Sequence, residues 1–543
     1  MSLPVPDHTS KLSPRLAMIL PWAIFLLAVT ARLLPGARTI DDSYITFRYA
    51  RNLLAGQGFV FNPGERVLGT TTPLYTSLMV LGGALSGGVT APFPQIAMLL
   101  NALADGVVCL LLLRIAKRLG FQFAGAGAAL VWAIAPFSVT FAIGGLETSV
   151  FVLLLVGTAC AHLECRRHLA LLLAALALLT RPDALIFIGP LALDRLWQIM
   201  QEKRQHRLSG SQLLVELLIF ILPTASWIIF AYLYFGSPIP HSMAAKSLAY
   251  RLSPDAGFVR LLQHYATPFL EHLTFGIPWI GVGLVLYPFL YLVGGRRALR
   301  QNGRVWPWLA YPWLYFAVFS LANPLIFRWY MTPPMPAYYL FILGGAEVLI
   351  LSIAGARHKK TSSLTETGSP PLGLATRLVI VFLVVLTPTL LSLRDWQLHP
   401  DHGIDRPAPS MAWYKLELLY RQAAEILAPH LQSYSLASPT LAAGDVGVLG
   451  YFTGVRILDT VGLNSPISSS YYPLDPAYYV INYAIPPQLI LDTRPDFLVI
   501  LEVYGRLGLL KSPLFRQLYS LRQKIPTDIY GSDGLLILER KNQ

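Results

Sequence analysis

The chain has 543 residues, of which 54% are hydrophobic and 13% charged, and its mean hydropathy is +0.53. Soluble domains carry about 25% charged residues, so this composition excludes an ordinary soluble protein and predicts an integral membrane protein. The formal net charge of +13 lies largely in short loops between apolar segments. Basic residues there mark membrane orientation, and we predict no nucleic-acid partner.

Eleven apolar segments are predicted to cross the membrane as helices, because each approaches the length of about 20 residues that a bilayer requires. The first is long for a cleaved signal, so it is interpreted as an uncleaved helix. The segments are residues 16–34, 96–116, 122–142, 148–163, 168–181, 183–198, 212–234, 275–294, 306–322, 331–353 and 378–393.

The basic loops predict the orientation of these segments. Lysine and arginine concentrate on the cytoplasmic side of membrane proteins. All the basic loops of this chain fall on one side only if the uncharged stretch 73–90 lies along the outer interface instead of spanning. We therefore expect a multi-pass protein of the cell membrane, with a cytoplasmic N-terminus and an extracytoplasmic C-terminus.

The distribution of charge divides the chain into two predicted domains. Residues 1–393 form the multispanning part, with large outer loops at 35–95 and 235–274. Residues 394–543 carry more charge, and short apolar runs alternate there with turn residues, which indicates a small extracytoplasmic α/β domain of about 150 residues. The expected elements are strands at Leu441–Ala443, Arg456–Leu458 and Phe497–Leu501, a helix at 411–430 and a strand-to-turn element at 444–450. The predicted fold class is an α-helical polytopic membrane protein with a C-terminal α/β domain.

Two adjacent carboxylates, Asp41 and Asp42, follow the first apolar segment and open a short helix-like run. Charge at a membrane boundary is costly and usually marks a functional site. One carboxylate could take a proton from an attacking hydroxyl while its neighbour raises its pKa. The alternative is that an Asp caps the helix. Either residue fits the base, and Asp41 is slightly favoured because it lies nearer the loop.

Five further side chains are predicted to contact substrate. Arg48 follows the Asp pair in the same run, where a cation suits a phosphate. Glu147 is expected to project toward the same side, with an early-helix acid as the alternative. Lys246 and Arg328, the latter close to Tyr330, are candidate phosphate contacts, because arginine can bind phosphate in a bidentate manner. The alternative for Arg328 is interfacial snorkelling.

Other charged motifs are interpreted as structural. Glu65 with Arg66 is expected to pair and hold a loop, with the alternative that both face the cavity of the site, and Arg181 with Asp183 is expected to pair at an outer helix junction. A divalent metal beside the Asp pair is left open, but no metal site is predicted. No compact metal-ligand spacing occurs among the loop histidines, which are His241, His264 and His272.

Several short motifs occur in a recognisable order. The more specific ones are DDSYITFRY (41–49), GQGFVFNPGERV (56–67) and TPLY (72–75). Weaker ones follow, namely GLET (145–148), TRPD (180–183), FGSPIP (235–240), GYF (450–452) and DTVGL (459–463). Their order resembles that in GT-C membrane glycosyltransferases, and most of all in the group that contains the terminal arabinofuranosyltransferases of mycobacteria. The resemblance covers nearly the whole chain.

This resemblance implies a polyprenyl-phosphate sugar as donor, transfer outside the cytoplasmic membrane, and an essential acid in the first outer loop. Asp41 and Asp42 match that acidic motif, whereas Lys246 and Arg328 match in local context only. The family often has an acidic residue after the GERV motif. This chain continues instead with LGT (68–70), which points to different acceptor contacts or a different sugar.

The sequence therefore predicts a membrane glycosyltransferase that moves a sugar from a polyprenyl-phosphate donor to a cell-envelope glycan, lipid or protein. We expect inversion at the anomeric carbon, an Asp general base and contacts with membrane lipids. A transporter or flippase for lipid-linked sugars is the alternative, although transporter sites lie near the middle of the membrane. A non-catalytic assembly protein is the third class considered.

Overall fold

The computed structural model of the protein describes residues 14–206, 209–269, 277–361, 373–394, 412–432 and 439–541. Its N-terminal part is made of α-helices joined by short loops. These helices are α1 (Pro14–Leu33), α2 (Asp41–Leu54), α3 (Pro73–Leu85), α4 (Phe93–Arg118), α5 (Ala124–Ile134), α6 (Pro136–Ile143), α7 (Thr148–Leu163), α8 (Arg167–Thr180), α9 (Leu185–Arg204), α10 (Gly210–Phe235), α11 (His241–Ala249), α12 (Ala256–Ala266), α13 (Ile277–Gln301), α14 (Trp306–Ala322), α15 (Met335–Thr361), α16 (Leu374–Ile380) and, after a π-helical stretch, α17 (Thr387–Arg394).

Long apolar helices make this a membrane protein. Within the described ranges, five helical segments are long and apolar enough to cross a bilayer, and α5 with α6 would form a sixth span bent by 43°. Pro136 explains the bend, because a proline ring disfavours helical backbone in the residue before it. The remaining predicted spans correspond to shorter or less apolar helices, so their total of eleven and their orientation stay predictions. The five are Phe93–Arg118, Gly210–Phe235, Pro278–Gln301, Met335–Ala354 and Leu374–Leu393.

The stretch 73–90 forms a short helix and not a long one. Helix α3 has 13 residues and is followed by a 3₁₀ turn at Gly88–Thr90. At a rise of 1.5 Å per residue this helix is about 20 Å long, which is less than the hydrocarbon core of about 30 Å. Helix α8, in a predicted span, is almost as short at 14 residues, so the position of 73–90 along the interface stays a prediction.

The C-terminal part is a small sheet domain packed with helices. The described residues form a five-stranded sheet in the order β2-β1-β3-β5-β4, in which β1 runs parallel to β2 and β3 while β5 is antiparallel to β3 and β4. The strands are β1 (Thr440–Ala443), β2 (Arg456–Asp459), β3 (Phe497–Leu501), β4 (Tyr519–Ile525) and β5 (Leu535–Arg540). The helices are α18 (Ala412–Gln432), α19 (Gly447–Thr453), α20 (Pro487–Thr493), α21 (Glu502–Gly505) and α22 (Pro513–Leu518).

The predicted fold class is confirmed, and so are the first three strands and the helix at 411–430. The prediction missed β4 and β5; β4 alternates poorly, because five consecutive residues inside it are exposed. The predicted domain boundary at 393/394 is followed by residues 395–411, which lie outside the described part of the chain. The division at that position therefore stays a prediction.

The prediction for residues 444–450 was wrong in part. The strand ends at Ala443, but Gly447 already begins helix α19. The backbone N–H groups of Gly447 and Val448 donate to the carboxylate of Asp41, at 2.9 and 2.7 Å. An acid at a helix N-terminus satisfies free N–H groups and favours the helix dipole. This cap comes from about 400 residues away, so no local pattern announces it.

Helix α2 is enclosed between the membrane helices and the sheet domain, although it is a polar segment. Its two tyrosines are buried and hydrogen-bonded: the Tyr44 hydroxyl donates to Glu417 at 2.9 Å, and the Tyr49 hydroxyl donates to the Val67 carbonyl at 2.7 Å. Buried polar groups are tolerated when they are paired in this way. The two acids at the start of α2 are thereby held where the two parts of the molecule meet.

Candidate active site

The junction between α6 and α7 fixes the start of α2. The Ile40 backbone N–H donates to the Gly144 carbonyl at 2.9 Å, and the Ser43 hydroxyl donates to the same oxygen at 2.7 Å. Gly145, with a φ of +77°, adopts a left-handed backbone that suits glycine. These contacts orient the first turn of α2, from which Asp41 and Asp42 project.

Asp41 is buried, with 5% of its surface exposed. Both of its carboxylate oxygens accept the N–H groups of α19 described above. Burial, followed by the charge of Asp445, raises the pKa of the Asp41 carboxyl well above its ordinary value, while the backbone hydrogen bonds lower it. Asp41 therefore ties α2 to the sheet domain.

Asp42 is the accessible member of the pair, with 34% of its side chain exposed. It lines two adjoining cavities, together with Lys246 and Tyr250. The Nζ atom of Lys246 is 4.0 Å from Oδ2 of Asp42. A molecule entering either cavity would meet this carboxylate, so the geometry favours Asp42 over Asp41 as the reacting acid.

The large cavity has a volume of about 800 Å³, within the range of sites that enclose organic ligands. Apolar side chains at the start of α9 and the end of α14 form one wall, including Leu185 and Phe319. Charged residues also line this cavity, among them Asp42, Lys246 and Glu147. An apolar wall beside charged groups suits an amphipathic molecule.

An ion-paired arginine lies at the edge of the large cavity. Arg181 contacts Asp183 at 2.9 Å and Glu147 at 3.4 Å, and its guanidinium carbon lies 4.6 Å from the centre of the Tyr330 ring. The predicted pair of Arg181 and Asp183 is therefore confirmed. Its role is not only structural packing, because both residues also line the cavity.

The small cavity, of about 200 Å³, lies between α2 and the sheet domain. Its wall includes Asp41, Asp42 and a third carboxylate, Asp445. The hydroxyls of Tyr420 and Tyr504 donate to Asp445 at 2.6 and 3.2 Å. Aliphatic side chains also line this cavity, and its aromatic and amide residues include Tyr250, Trp329, Asn482, Tyr483, Tyr504 and Tyr530.

Asp445 was missed by the sequence interpretation. Burial, together with the charge of Asp42, raises the pKa of Asp445 to about 6, against the lowering effect of the hydrogen bonds from Tyr420 and Tyr504. The sequence predicts only a strand-to-turn element for the run from Gly444 to Gly450. The sequence feature that could have identified Asp445 is an acid between two glycines at the end of a strand. This pattern is common in turns, so it is weak evidence for a functional residue.

The structure brings some of the predicted substrate-binding residues together. Glu147, Lys246 and Tyr330 line the large cavity with Asp42. Arg328 instead lines a third cavity, with Arg260 and His264. We therefore assign Arg328 no contact with the Asp pair.

Arg48 also lies outside the three cavities described here. Its guanidinium packs 4.4 Å from the centre of the Phe61 ring and donates to the carbonyl of Val455 at 2.8 Å and to the Asn62 side chain at 3.3 Å. These partners connect α2, the following loop and the sheet domain. Arg48 is therefore a structural residue in this geometry, because helix periodicity turns its side chain away from Asp42.

Glu65 and Arg66 do not pair with each other as predicted. Glu65 contacts Arg456 at 2.6 Å, and Arg66 lies over the Tyr234 ring at 4.7 Å. Both residues are structural, but their partners lie far away in the sequence. The loop from residue 56 to 67 is consequently attached both to the sheet domain and to α10.

The described histidines make contacts with protein groups. Nε2 of His241 lies 3.2 Å from the Ser469 hydroxyl, and Nε2 of His264 lies 3.1 Å from the Met331 carbonyl. His272 lies outside the described residues. Within those residues no three His, Cys, Asp or Glu side chains are arranged to hold a metal ion. The divalent metal that the sequence leaves open thus has no assigned ligands there.

Comparisons with known proteins address the fold and the relatives of the chain. A domain of unknown function (DUF8728) matches residues 412–537, which lie in the sheet domain. The terminal beta-(1->2)-arabinofuranosyltransferase of Mycobacterium tuberculosis is 28% identical over 228 residues. That match covers 38% of this chain and 35% of the relative, so the chain spans about a third of the curated protein it matches.

Two solved structures are similar over most of the chain. ArnT from Cupriavidus metallidurans, bound to undecaprenyl phosphate, has a TM-score of 0.52 at 12% identity, covering 98% of this chain and 100% of that chain. The oligosaccharyltransferase AglB from Archaeoglobus fulgidus, in complex with an inhibitory peptide and a dolichol-phosphate, has a TM-score of 0.52 at 11% identity, covering 93% and 72%. These findings confirm the resemblance predicted from the motifs, and they show that the chain has the GT-C fold.

Proposed function

We propose that this protein is a membrane glycosyltransferase, which moves a sugar from a polyprenyl-phosphate donor to a hydroxyl group of an acceptor at the extracytoplasmic face. The observation that carries the proposal is the position of Asp42 in the wall common to two adjoining cavities, a large one and a small one. A transferase needs one site for each of two substrates, with a base between them.

The large cavity suits the lipid donor. Its apolar wall between α9 and α14 can hold prenyl units, and its polar wall can hold the phosphate and sugar. Lys246 is the best phosphate contact, because its nearest carboxylate, Asp42, is 4.0 Å away, beyond hydrogen-bond length. Burial lowers the pKa of Lys246, but Tyr330 and Asp42 raise it and the net direction is upward. Lys246 therefore stays a cation.

Arg181 supports the donor site in a different way. Its charge is already balanced by Asp183 and Glu147. Such a pair, desolvated beside the cavity, keeps its geometry better than a single long side chain would. We assign Arg181 and Glu147 to positioning of the Tyr330 ring and, with it, of the donor sugar.

The small cavity suits the acceptor. Aromatic rings offer apolar faces, while Asn482 and Asp445 offer partners for hydroxyl groups. Asp41 holds α19 in place, so that Asp445 and the sheet domain form this wall. The acceptor hydroxyl would then approach Asp42 from the side opposite to the donor.

The proposed step is a single displacement. Asp42 takes the proton of the acceptor hydroxyl as its oxygen bonds to the anomeric carbon of the donor. The bond from that carbon to the phosphate oxygen breaks, and polyprenyl phosphate leaves on the opposite side, which inverts the anomeric centre. Lys246 balances the charge that develops on the leaving phosphate. Because phosphate is a good leaving group, this step requires no strong general acid.

The test is transfer of labelled sugar by the purified full-length protein in nanodiscs, with polyprenyl-phosphate pentoses and hexoses as donors. We expect release of polyprenyl phosphate that depends on added acceptor, and loss of release in Asp42→Asn. Movement of the labelled lipid between leaflets without release of sugar would instead identify the flippase considered above. Cysteine labelling at the exposed position Ile467 checks the orientation, because the proposal requires the sheet domain outside the cell membrane.

A further inference from the structure

A third cavity, of about 420 Å³, lies against helix α12 and the turn at Arg328–Met331. We call it the basic cavity, because Arg260 and Arg328 both line it. Arg260 also lines the small cavity, in which Asp42 lies. One guanidinium thus borders both spaces, and it does not line the large cavity assigned to the donor.

Arg260 is an uncompensated cation. It is partly buried, yet it forms no ion pair or hydrogen bond with any of the residues that the structure describes. Burial, and then the charge of Arg328, lowers the pKa of its guanidinium, while Tyr530 acts in the opposite direction. A partly buried charge without a partner is costly, and a bound anion would remove that cost.

The other groups facing the basic cavity do not neutralise Arg260. His264 is buried, and its Nε2–H donates to the Met331 carbonyl. Burial, with the charges of Arg328 and Arg260, lowers the pKa of His264 to about 4, so this ring is neutral near pH 7. Asp255 is the carboxylate among the lining residues, and it forms no ion pair with either arginine within the described chain.

We infer that the acceptor substrate carries an anionic group, a phosphate or a carboxylate, which Arg260 binds with Arg328 while the acceptor hydroxyl reaches Asp42. This inference rests on the proposed function. Its basis is that Arg260 lies in the wall of the cavity assigned to the acceptor and also opens to a space with a second arginine. Guanidinium groups bind phosphate and carboxylate through paired, charge-assisted hydrogen bonds.

The charge of the small cavity favours this arrangement. Its carboxylates Asp41, Asp42 and Asp445 would repel an anion placed beside them. An anionic acceptor can therefore bind in one direction only, with its charge at Arg260 and its hydroxyl at Asp42. Arg260 therefore determines the orientation of the bound acceptor as well as its affinity.

The test measures binding, so it does not depend on turnover. The full-length protein in phosphatidylcholine nanodiscs is titrated with a hexose 1-phosphate, the matched methyl hexoside and inorganic phosphate, and tryptophan fluorescence and the melting temperature are followed. We expect the hexose phosphate to bind at least about tenfold more tightly than either of the other probes. Arg260→Gln should abolish this preference, whereas Arg260→Lys should retain part of it.

Arg251→Gln is the matched control, because Arg251 is an exposed arginine of the same outer loop and should leave binding unchanged. Equal binding of the hexose phosphate and the methyl hexoside overturns the inference, and so does a preference that survives in Arg260→Gln. The melting temperature without ligand shows whether Arg260→Gln is folded. If it is not, the same binding criteria are applied to Arg260→Lys and Arg328→Gln.

Two further measurements test whether the bound anion is a membrane lipid or a free anion instead of the acceptor. Stabilisation by phosphatidylglycerol nanodiscs without any effect of the hexose phosphate would assign the site to a bilayer lipid and overturn the acceptor assignment. Inorganic phosphate that binds as tightly as the hexose phosphate would assign a free-anion site, with the same consequence. The protein could bind the anion through Arg260 and yet release no sugar from any polyprenyl-phosphate donor. That result would contradict the proposed function but not the anion site.

Discussion

The two cavities that meet at Asp42 differ because different parts of the molecule enclose them. Predicted membrane helices such as α9 and α14 wall the large cavity, and their side chains there are mostly apolar. The small cavity is closed by the sheet domain, which contributes Asp445, Tyr483 and Tyr504. Asp42 lines both cavities, so in the proposed function a lipid donor in one cavity and an acceptor in the other would reach the same carboxylate.

The largest expected effect separates the two adjacent acids. Asp42→Asn keeps the shape of the side chain but removes its basicity, so turnover should fall about 10²–10⁴-fold with donor binding retained. Asp41→Asn should instead lower the melting temperature, because its amide nitrogen cannot accept one of the two α19 N–H groups. Steady-state transfer assays measure the turnover of both variants, and thermal unfolding measures their melting temperatures. Near-native turnover in Asp42→Asn would contradict the proposed role of Asp42 as the base that acts between the two substrates.

On the donor side, Lys246→Ala should weaken binding of the polyprenyl-phosphate sugar about 10–100-fold, the usual range for a hydrogen bond to a charged group. Lys246→Arg should retain most of the affinity. Lys511→Ala, at an exposed lysine of the sheet domain, is the control and should behave as the wild type. Competition binding with labelled lipid measures the effect. A change in acceptor KM alone would mean that Lys246 serves the small cavity.

On the acceptor side, Asp445→Asn should raise the KM for the acceptor about tenfold and leave slow hydrolysis of the donor without acceptor unchanged. The pKa of Asp445 is about 6. Its carboxylate therefore ionises as the pH rises from 5 to 7, and acceptor affinity should increase over that window in the wild type and stay flat in the variant. Equal pH profiles of acceptor KM in the two proteins would remove Asp445 from the acceptor site.

The smallest expected effect concerns the contact that holds α2 against the sheet domain. Burial raises the pKa of Glu417, which accepts the Tyr44 hydroxyl, to about 8. A raised pKa means that the folded state favours the protonated acid, so this stability is present below about pH 4.5 and is lost as the pH rises through 8. Glu417→Gln imitates the protonated form, and its melting temperature should exceed that of the wild type by a few degrees at pH 8.5 and by less at pH 5. Parallel melting curves over this range would show that Glu417 is not protonated in the fold.

Much of the helical architecture could be predicted, because apolar segments of about 20 residues report their membrane environment locally. Strands β1, β2 and β3 were predicted for a similar reason, since each is a short apolar run next to turn residues. Strand β4 was not, because its five central side chains are exposed and four of them are polar. The motif around Asp41 and Asp42 likewise identified the region of the site before any contact was known.

The roles of particular charges depended on contacts across the chain. Composition and motif order are enough to predict a membrane protein with an acid pair after its first helix, since both can be read from the sequence without any contact. Only the tertiary structure distinguished Asp41, which caps a helix about 400 residues away, from Asp42, which lines two cavities. It also added Asp445 to the site and moved Arg48 and Arg328 away from Asp42. The physical reason is that charge becomes functional through its burial and its partners, and both are set by segments that are remote in sequence and adjacent in space.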